Sequence, residues 1–92
     1  MKPQKPEENS WNVYIVRCAD GSLYTGIAKS LARRIKEHNT GNSGAKYTRT
    51  RRPVALAYSE TCDSRSLATK REMAIKRLTK LQKEALVTKS ER

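Results

Sequence analysis

Residues 11–28 read Trp-Asn-Val-Tyr-Ile-Val-Arg-Cys-Ala-Asp-Gly-Ser-Leu-Tyr-Thr-Gly-Ile-Ala, two β-rich runs on either side of a short turn. From Trp11 to Cys18 the side chains alternate, with Trp11, Val13 and Ile15 on one face and Tyr14 and Val16 on the other. Ala19-Asp20-Gly21-Ser22 turns the chain, and Leu23 to Ala28 returns as the second strand of a hairpin. Loop length decides what this hairpin presents. A two-residue Asp20-Gly21 loop would pair Tyr14 with Ile27 and send Tyr14 and Tyr24 to opposite faces. A three-residue loop, Ala19-Asp20-Gly21 with Gly21 left-handed in a bulge, pairs Tyr14 with Gly26 and Val16 with Tyr24. We read the loop as three residues, which puts both tyrosines on one face. Gly26, lacking a side chain, is then expected to leave room there for a phosphate or a water.

Working outward, Ser30 is a plausible N-cap for a helix from Leu31 to about Asn39, with Leu31 and Ile35 at helical spacing and Gly41 as the stop. Residues 40–53 are expected to form a flexible basic loop bounded by Pro53, and Val54 to Glu60 a third strand. Asp63 or Ser64 starts a second helix, with an apolar stripe of Leu67, Ala68, Ala74, Ile75 and Leu78 that ends near Thr79. Thr79-Lys80-Leu81-Gln82 has the form of a capping box and opens a third helix through Leu86. The expected order is β-β-α-β-α-α, in one domain over residues 11–87. Residues 1–10 read as a disordered tail without a secretory signal, and residues 88–92 as a frayed end.

The chain has 92 residues, with 20 Lys and Arg against 9 Asp and Glu, a formal charge of +11. At this size a fold hides only about 60–65% of its unfolded surface, so a shallow, solvent-facing site is expected rather than a deep cavity. The charge is not spread evenly. Residues 29–52 hold eight Lys or Arg against Glu37 alone, and residues 65–92 hold nine against three acids. Such clusters attract phosphate backbones through counterion release, which points to nucleic acid as a class and to no particular sequence. No apolar run is long enough to cross a bilayer, and Phe is absent, so a membrane partner is not expected. Cys18, Cys62 and His38 are the only residues of their types, and no two stand at zinc-ligand spacing. Without an export signal the thiols are expected to be reduced and the protein cytoplasmic.

Few side chains remain for chemistry. Arg34 and His38 stand four residues apart on the first helix, so both project to one side, beside Leu31 and Ile35. Arg offers a planar fork to phosphate oxygens, and His passes a proton near neutral pH. The bland reading of the pair is an ordinary basic helix face. Glu72 sits at the edge of the second helix's apolar stripe, where a carboxylate could bind Mg²⁺ or simply pair with Lys76. Arg71 lies nearer the centre of that stripe, with no role beyond a snorkelling stem.

Taken in order, Asn12-Val13-Tyr14, Tyr24-Thr25-Gly26, Arg34, His38 and Glu72 resemble the GIY-YIG nuclease domain, over about residues 11 to 87. Only Tyr14 survives of the first tripeptide, while Tyr24 and Gly26 keep two of the three in the second. Gly44-Ala45-Lys46-Tyr47-Thr48-Arg49 through Arg52-Pro53 looks like the small stand-alone bacterial members. It is also similar to the catalytic subunit of structure-specific endonucleases that cut branched DNA.

The resemblance implies an α+β fold, a three-stranded antiparallel sheet flanked by helices, and metal-dependent hydrolysis of a phosphodiester. On that resemblance Glu72 would hold one Mg²⁺ or Mn²⁺, Arg34 would clamp the scissile phosphate, and Tyr14 or Tyr24 would take a proton from the attacking water with His38 assisting. Gly26, Lys46, Tyr47, Arg49, Arg51 and Arg52 would contact substrate. The expected partner is DNA, branched or single-stranded, with RNA possible and any protein partner unknown. Many family members carry a late active-site Asn, and here Asn9, Asn12, Asn39 and Asn42 all precede Glu72, so that position is unfilled. The competing expectation is a non-catalytic DNA- or RNA-binding module on the same fold, with Arg34 gripping phosphate and Tyr47 stacking on bases.

Overall fold

The computed structural model describes residues 10–41 and 44–90; the expected disordered tail lies, except for Ser10, outside the described residues. Strands β1 (Trp11–Arg17) and β2 (Leu23–Ala28) form the hairpin, and β3 (Ala55–Cys62) pairs with β1, so the antiparallel sheet runs β2-β1-β3. Helices α1 (Leu31–Asn39), α2 (Lys46–Arg49), α3 (Arg65–Lys76) and α4 (Lys80–Ser90) complete the chain.

The hairpin has the three-residue loop. Tyr14 pairs with Gly26 and Val16 with Tyr24, and Gly21 is left-handed at φ 86° with its N–H donating to the Cys18 carbonyl at 2.9 Å. Only glycine adopts that φ without steric cost, which is how one residue sets the register of twelve others. Asp20 holds the turn by accepting from the Ser22 N–H at 3.0 Å.

Each face of the sheet is covered. Val13 and Ile15 pack with Ala68, Ile75 and Val87 of α3 and α4, while Tyr14 and Val16 pack with Cys18, Ala28 and Val54 under Leu31 and Ile35 of α1. The period-2 alternation of one strand thus feeds two cores. Ser30 caps α1, accepting from the Arg33 N–H at 3.3 Å, and Ser64 caps α3, accepting from the Leu67 N–H at 3.1 Å. The capping box is present in both directions: the Thr79 N–H donates to Gln82 and the Gln82 N–H to Thr79.

Two elements differ from the sequence expectation. The loop over residues 40–53 contains the one-turn helix α2, which four residues cannot announce by periodicity. The peptide bond Arg52-Pro53 is cis. Helix α4 continues past Leu86 through Thr88 to Ser90, residues expected to fray, while residues 91 and 92 lie outside the described residues. Arg71 is more than a snorkelling stem: its Nε donates to Glu60 of β3 at 2.7 Å, and Tyr58 donates to the same carboxylate.

Candidate active site

The shared hairpin face positions the first group. Tyr14 projects from β1 directly over Gly26, where a Cβ would stand 2.5 Å from the phenol oxygen and 2.7 Å from the ring carbon bearing it. The room expected for a phosphate or water over Gly26 is therefore filled by Tyr14 itself. Gly26 serves as the seat of the phenol ring rather than as a contact for ligand in this arrangement.

Helix α1 brings the second group. Tyr14 Oη lies 2.7 Å from His38 Nε2, and His38 Nδ1 lies 2.8 Å from Thr48 Oγ1 of α2. All three residues are buried: Tyr14 is 1% exposed, His38 and Thr48 0%. Arg34, one turn before His38, hydrogen-bonds the same phenol oxygen. Because a guanidinium only donates, Oη accepts from Arg34, and its own proton can go to His38 Nε2 where that nitrogen carries the lone pair.

Electrostatics follow from this packing. Burial pushes the Tyr14 phenol above its ordinary range, and the bond from Arg34 only partly offsets that. Burial, reinforced by the Arg34 charge, holds His38 below the usual imidazole value, so the ring is neutral at pH 7. The dyad is thus a neutral phenol facing a neutral imidazole, with a cation beside the oxygen where phenolate charge would develop.

Arg34 also pairs with Glu37 at 2.9 Å, and Arg33 reaches the same carboxylate at 3.1 Å. These residues line a shallow hollow of about 280 Å³ with Ala28, Lys29 and Ser30. A second hollow of about 570 Å³, among Leu81, Glu84, Ala85, Thr88 and Lys89 on α4, shares none of the site residues. The open hollow beside Arg34 fits the shallow site expected of so small a domain.

Tyr24 meets His38 edge-on at 5.4 Å between ring centroids and stacks on Tyr47 at 5.7 Å. The Arg51 guanidinium lies 3.9 Å over the Tyr47 ring and is tied to Asp20 at 3.2 Å. Tyr47 thus packs against both Tyr24 and Arg51, contacts with which a base stacking on Tyr47 would compete. Tyr47 is still 37% exposed, and Lys46 and Arg49 project to solvent beside it.

Arg52 departs from its expected place among the substrate contacts. Its Nε donates to the His38 carbonyl at 2.6 Å and its Nη2 to the Gly41 carbonyl at 2.8 Å, closing the C-terminal end of α1. Asn39 is similarly committed, bridging Val54 through its amide at 3.0 and 2.7 Å.

Glu72 reaches the site from a separate element. It comes from α3, which packs over the opposite face and along β2, yet its charge acts on the Tyr14 phenol. Its side chain is 17% exposed and pairs with Lys76 at 3.3 Å. Among the described residues no three His, Cys, Asp or Glu form a cluster able to hold a metal ion. A single half-buried carboxylate with open lone pairs suits Mg²⁺ or Mn²⁺, which complete their shells with water and substrate phosphate.

Sequence reasoning missed Thr48. A threonine in a basic loop gives no signal of its own, because its contact with His38 spans ten residues and depends on how the loop folds back.

Comparison with known proteins gives the family. Residues 10–85 match the model of the GIY-YIG catalytic domain. The chain is 58% identical over 91 residues to a UPF0213 protein of Desulfotalea psychrophila, covering 97% of this chain and 83% of that one. It is 52% identical to a UPF0213 protein of Halobacterium salinarum, covering 82% and 96%. Among solved structures it is similar to the solution NMR structure of a UPF0213 protein from Bacillus halodurans, with 43% identity, a TM-score of 0.55 and coverage of 86% and 83%. A solution NMR structure of a protein from E. faecalis gives 40% identity, a TM-score of 0.61 and coverage of 95% and 92%. With its two hairpin tyrosines, its glycine seat and its helix-borne Arg and His arranged around one buried hydroxyl, the chain belongs to the GIY-YIG catalytic-domain family, a nuclease superfamily, alongside small UPF0213 proteins.

Proposed function

We propose that this protein is a metal-dependent DNA endonuclease, structure-selective and acting in the cytoplasm on repair or recombination intermediates. The observation that carries the reading is the buried pair Tyr14 Oη and His38 Nε2 at 2.7 Å, with Arg34 on the same oxygen. Arg34 leaves Glu37 for the scissile phosphate and uncovers the phenol. A water attacks phosphorus as its proton goes to Tyr14 Oη and the Tyr14 proton goes to His38 Nε2; one P–O bond forms, the P–O bond to the leaving oxygen breaks, and that oxygen takes a proton from solvent. Glu72 would hold a Mg²⁺ or Mn²⁺, which supplies charge stabilisation at the phosphate. Lys46, Tyr47 and Arg49 carry the adjoining backbone of the DNA, with Arg51 bracing Tyr47.

The test is cleavage of labelled flap, fork, Holliday and single-stranded DNA with Mg²⁺, Mn²⁺ or EDTA, beside Glu72→Ala. Product in metal, none in EDTA and none from the variant is the expected outcome. The alternative, a non-catalytic binding module, draws on one observation: Tyr14 is 1% exposed, so an incoming water meets Arg34 and its neighbours first. Salt-sensitive binding without product in every metal and on every substrate would favour that alternative.

A further inference from the structure

Helix α2 looks at first like part of a DNA-contacting loop, with Lys46, Tyr47 and Arg49 turned outward. Its remaining residue, Thr48, is wholly buried and turned inward. Thr48 Oγ1 lies 3.0 Å from the Ala45 carbonyl and 2.8 Å from His38 Nδ1. A hydroxyl has one proton, and a carbonyl can only accept. With that proton on the Ala45 carbonyl, Oγ1 meets His38 as an acceptor, and Nδ1 must carry the imidazole proton. Nε2 then has the lone pair, and the Tyr14 hydroxyl donates to it.

Reversing the chain breaks it. If Thr48 donated to Nδ1, its contact with Ala45 would be empty of a proton, and Nε2–H would face a phenol whose own proton then has no acceptor among the described residues. One hydrogen bond would be lost and the buried phenol proton would be left unsatisfied, which is costly because no water replaces the partner. A doubly protonated ring is disfavoured by burial and by the charges of Arg34 and Arg52.

We propose that Thr48 is a positioning residue: it fixes His38 as the Nδ1–H tautomer, so that Nε2 is always the acceptor for the Tyr14 proton. The loop is shaped to deliver it. At Gly44 a Cβ would stand 2.8 Å from the Glu37 carbonyl oxygen and from His38 Cα, so a side chain there would push the loop off α1 and carry Ala45 and Thr48 away with it. The kinetic consequence rests on the nuclease reading; the tautomer does not.

His38 is the only histidine, so a long-range ¹H–¹⁵N correlation spectrum of the labelled full chain reports its tautomer without ambiguity. It is recorded at about pH 8, where the imidazole is neutral, without DNA or metal. The expected spectrum has the proton on Nδ1; a wild-type ring protonated on Nε2 overturns the proposal before any variant is made. In Thr48→Val the tautomers should mix, and kcat should fall by about 10- to 100-fold with KM unchanged, part of the roughly 100- to 10,000-fold that a positioned proton acceptor contributes. Thr48→Ser should restore both. Gly44→Ala should mix the tautomers as well, by moving the loop. A folded Thr48→Val that keeps the Nδ1–H form in full also overturns the proposal. Should the wild type show the expected tautomer and its loss in Thr48→Val yet cut no DNA, the nuclease reading fails and the role of Thr48 stands.

Discussion

At Tyr14 a single oxygen collects most of the site's chemistry. It accepts from Arg34, faces His38 Nε2 at 2.7 Å and sits over a glycine. Tyr14→Phe removes the proton carried between water and imidazole and leaves Nε2 without a partner, so cleavage should be lost and stability should fall by about 1–3 kcal/mol in urea melts. Gly26→Ala places a methyl group where the phenol lies, and backbone or ring must shift; about 1–3 kcal/mol of destabilisation and a large loss of kcat are expected from the same two assays. His38 sets the pH response. Its folded pKa lies below the ordinary 6.5, so the unfolded chain binds the proton more readily. Its contribution to stability is therefore complete above about pH 6.5 and is lost as pH falls toward the folded value. Protonation also occupies Nε2, so kcat/KM should decline on the acid side with a midpoint below about 6.5. A cleavage rate that rises as the solution is acidified through that range would contradict the assignment.

Among the elements, α4 is joined to the hairpin by charge. Arg17 of β1 grips Glu84 through two bonds of 2.7 and 2.8 Å, Lys80 reaches the same carboxylate at 3.0 Å, and Lys80 also donates to the Gly21 carbonyl. These donors lower the Glu84 pKa from 4.5 to about 2. A depressed carboxylate stabilises the fold above its unfolded value, so this latch is complete above about pH 4.5 and is lost between there and about pH 2. Acid titration followed by circular dichroism should show wild type losing stability through that interval, and Glu84→Gln losing less of it. Element identity was legible where a residue with one dominant conformational preference marks a boundary: Ser30 and Ser64 at helix starts, Gly21 in the turn, Thr79 and Gln82 in the capping box. Helix α2 was not, because one turn has no hydrophobic period, and its stability comes from burying Thr48 against α1.

Over the whole molecule, the cations of residues 29–52 read alike in sequence but are employed differently. Arg52 closes the end of α1, Arg51 braces Tyr47, and Arg34 shares Glu37 with Arg33, whereas Lys46 and Arg49 face solvent. Arg49→Ala should leave the urea midpoint unchanged and reduce the salt slope of duplex binding by about 0.9, the share of one phosphate contact. Arg52→Ala should instead cost about 1 kcal/mol of stability by uncapping α1. Binding in EDTA at several salt concentrations, read beside urea melts, separates the two roles.

The sequence by itself determined the order of the strands and of the helices other than α2, the register of the hairpin and the face shared by Tyr14 and Tyr24, because period-2 alternation and the φ of one glycine are local properties. It also brought Arg34 and His38 to one side of a helix, because 3.6 residues per turn leave no other choice. Only the tertiary structure decided that Tyr14 fills the space over Gly26, that Thr48 meets His38, that Arg52 turns inward, and that Glu72 acts on the phenol from a helix on the far face. Each of those depends on how separate elements pack against one another. A distance between two side chains on different elements follows from the shapes of everything between them, and no local pattern records it.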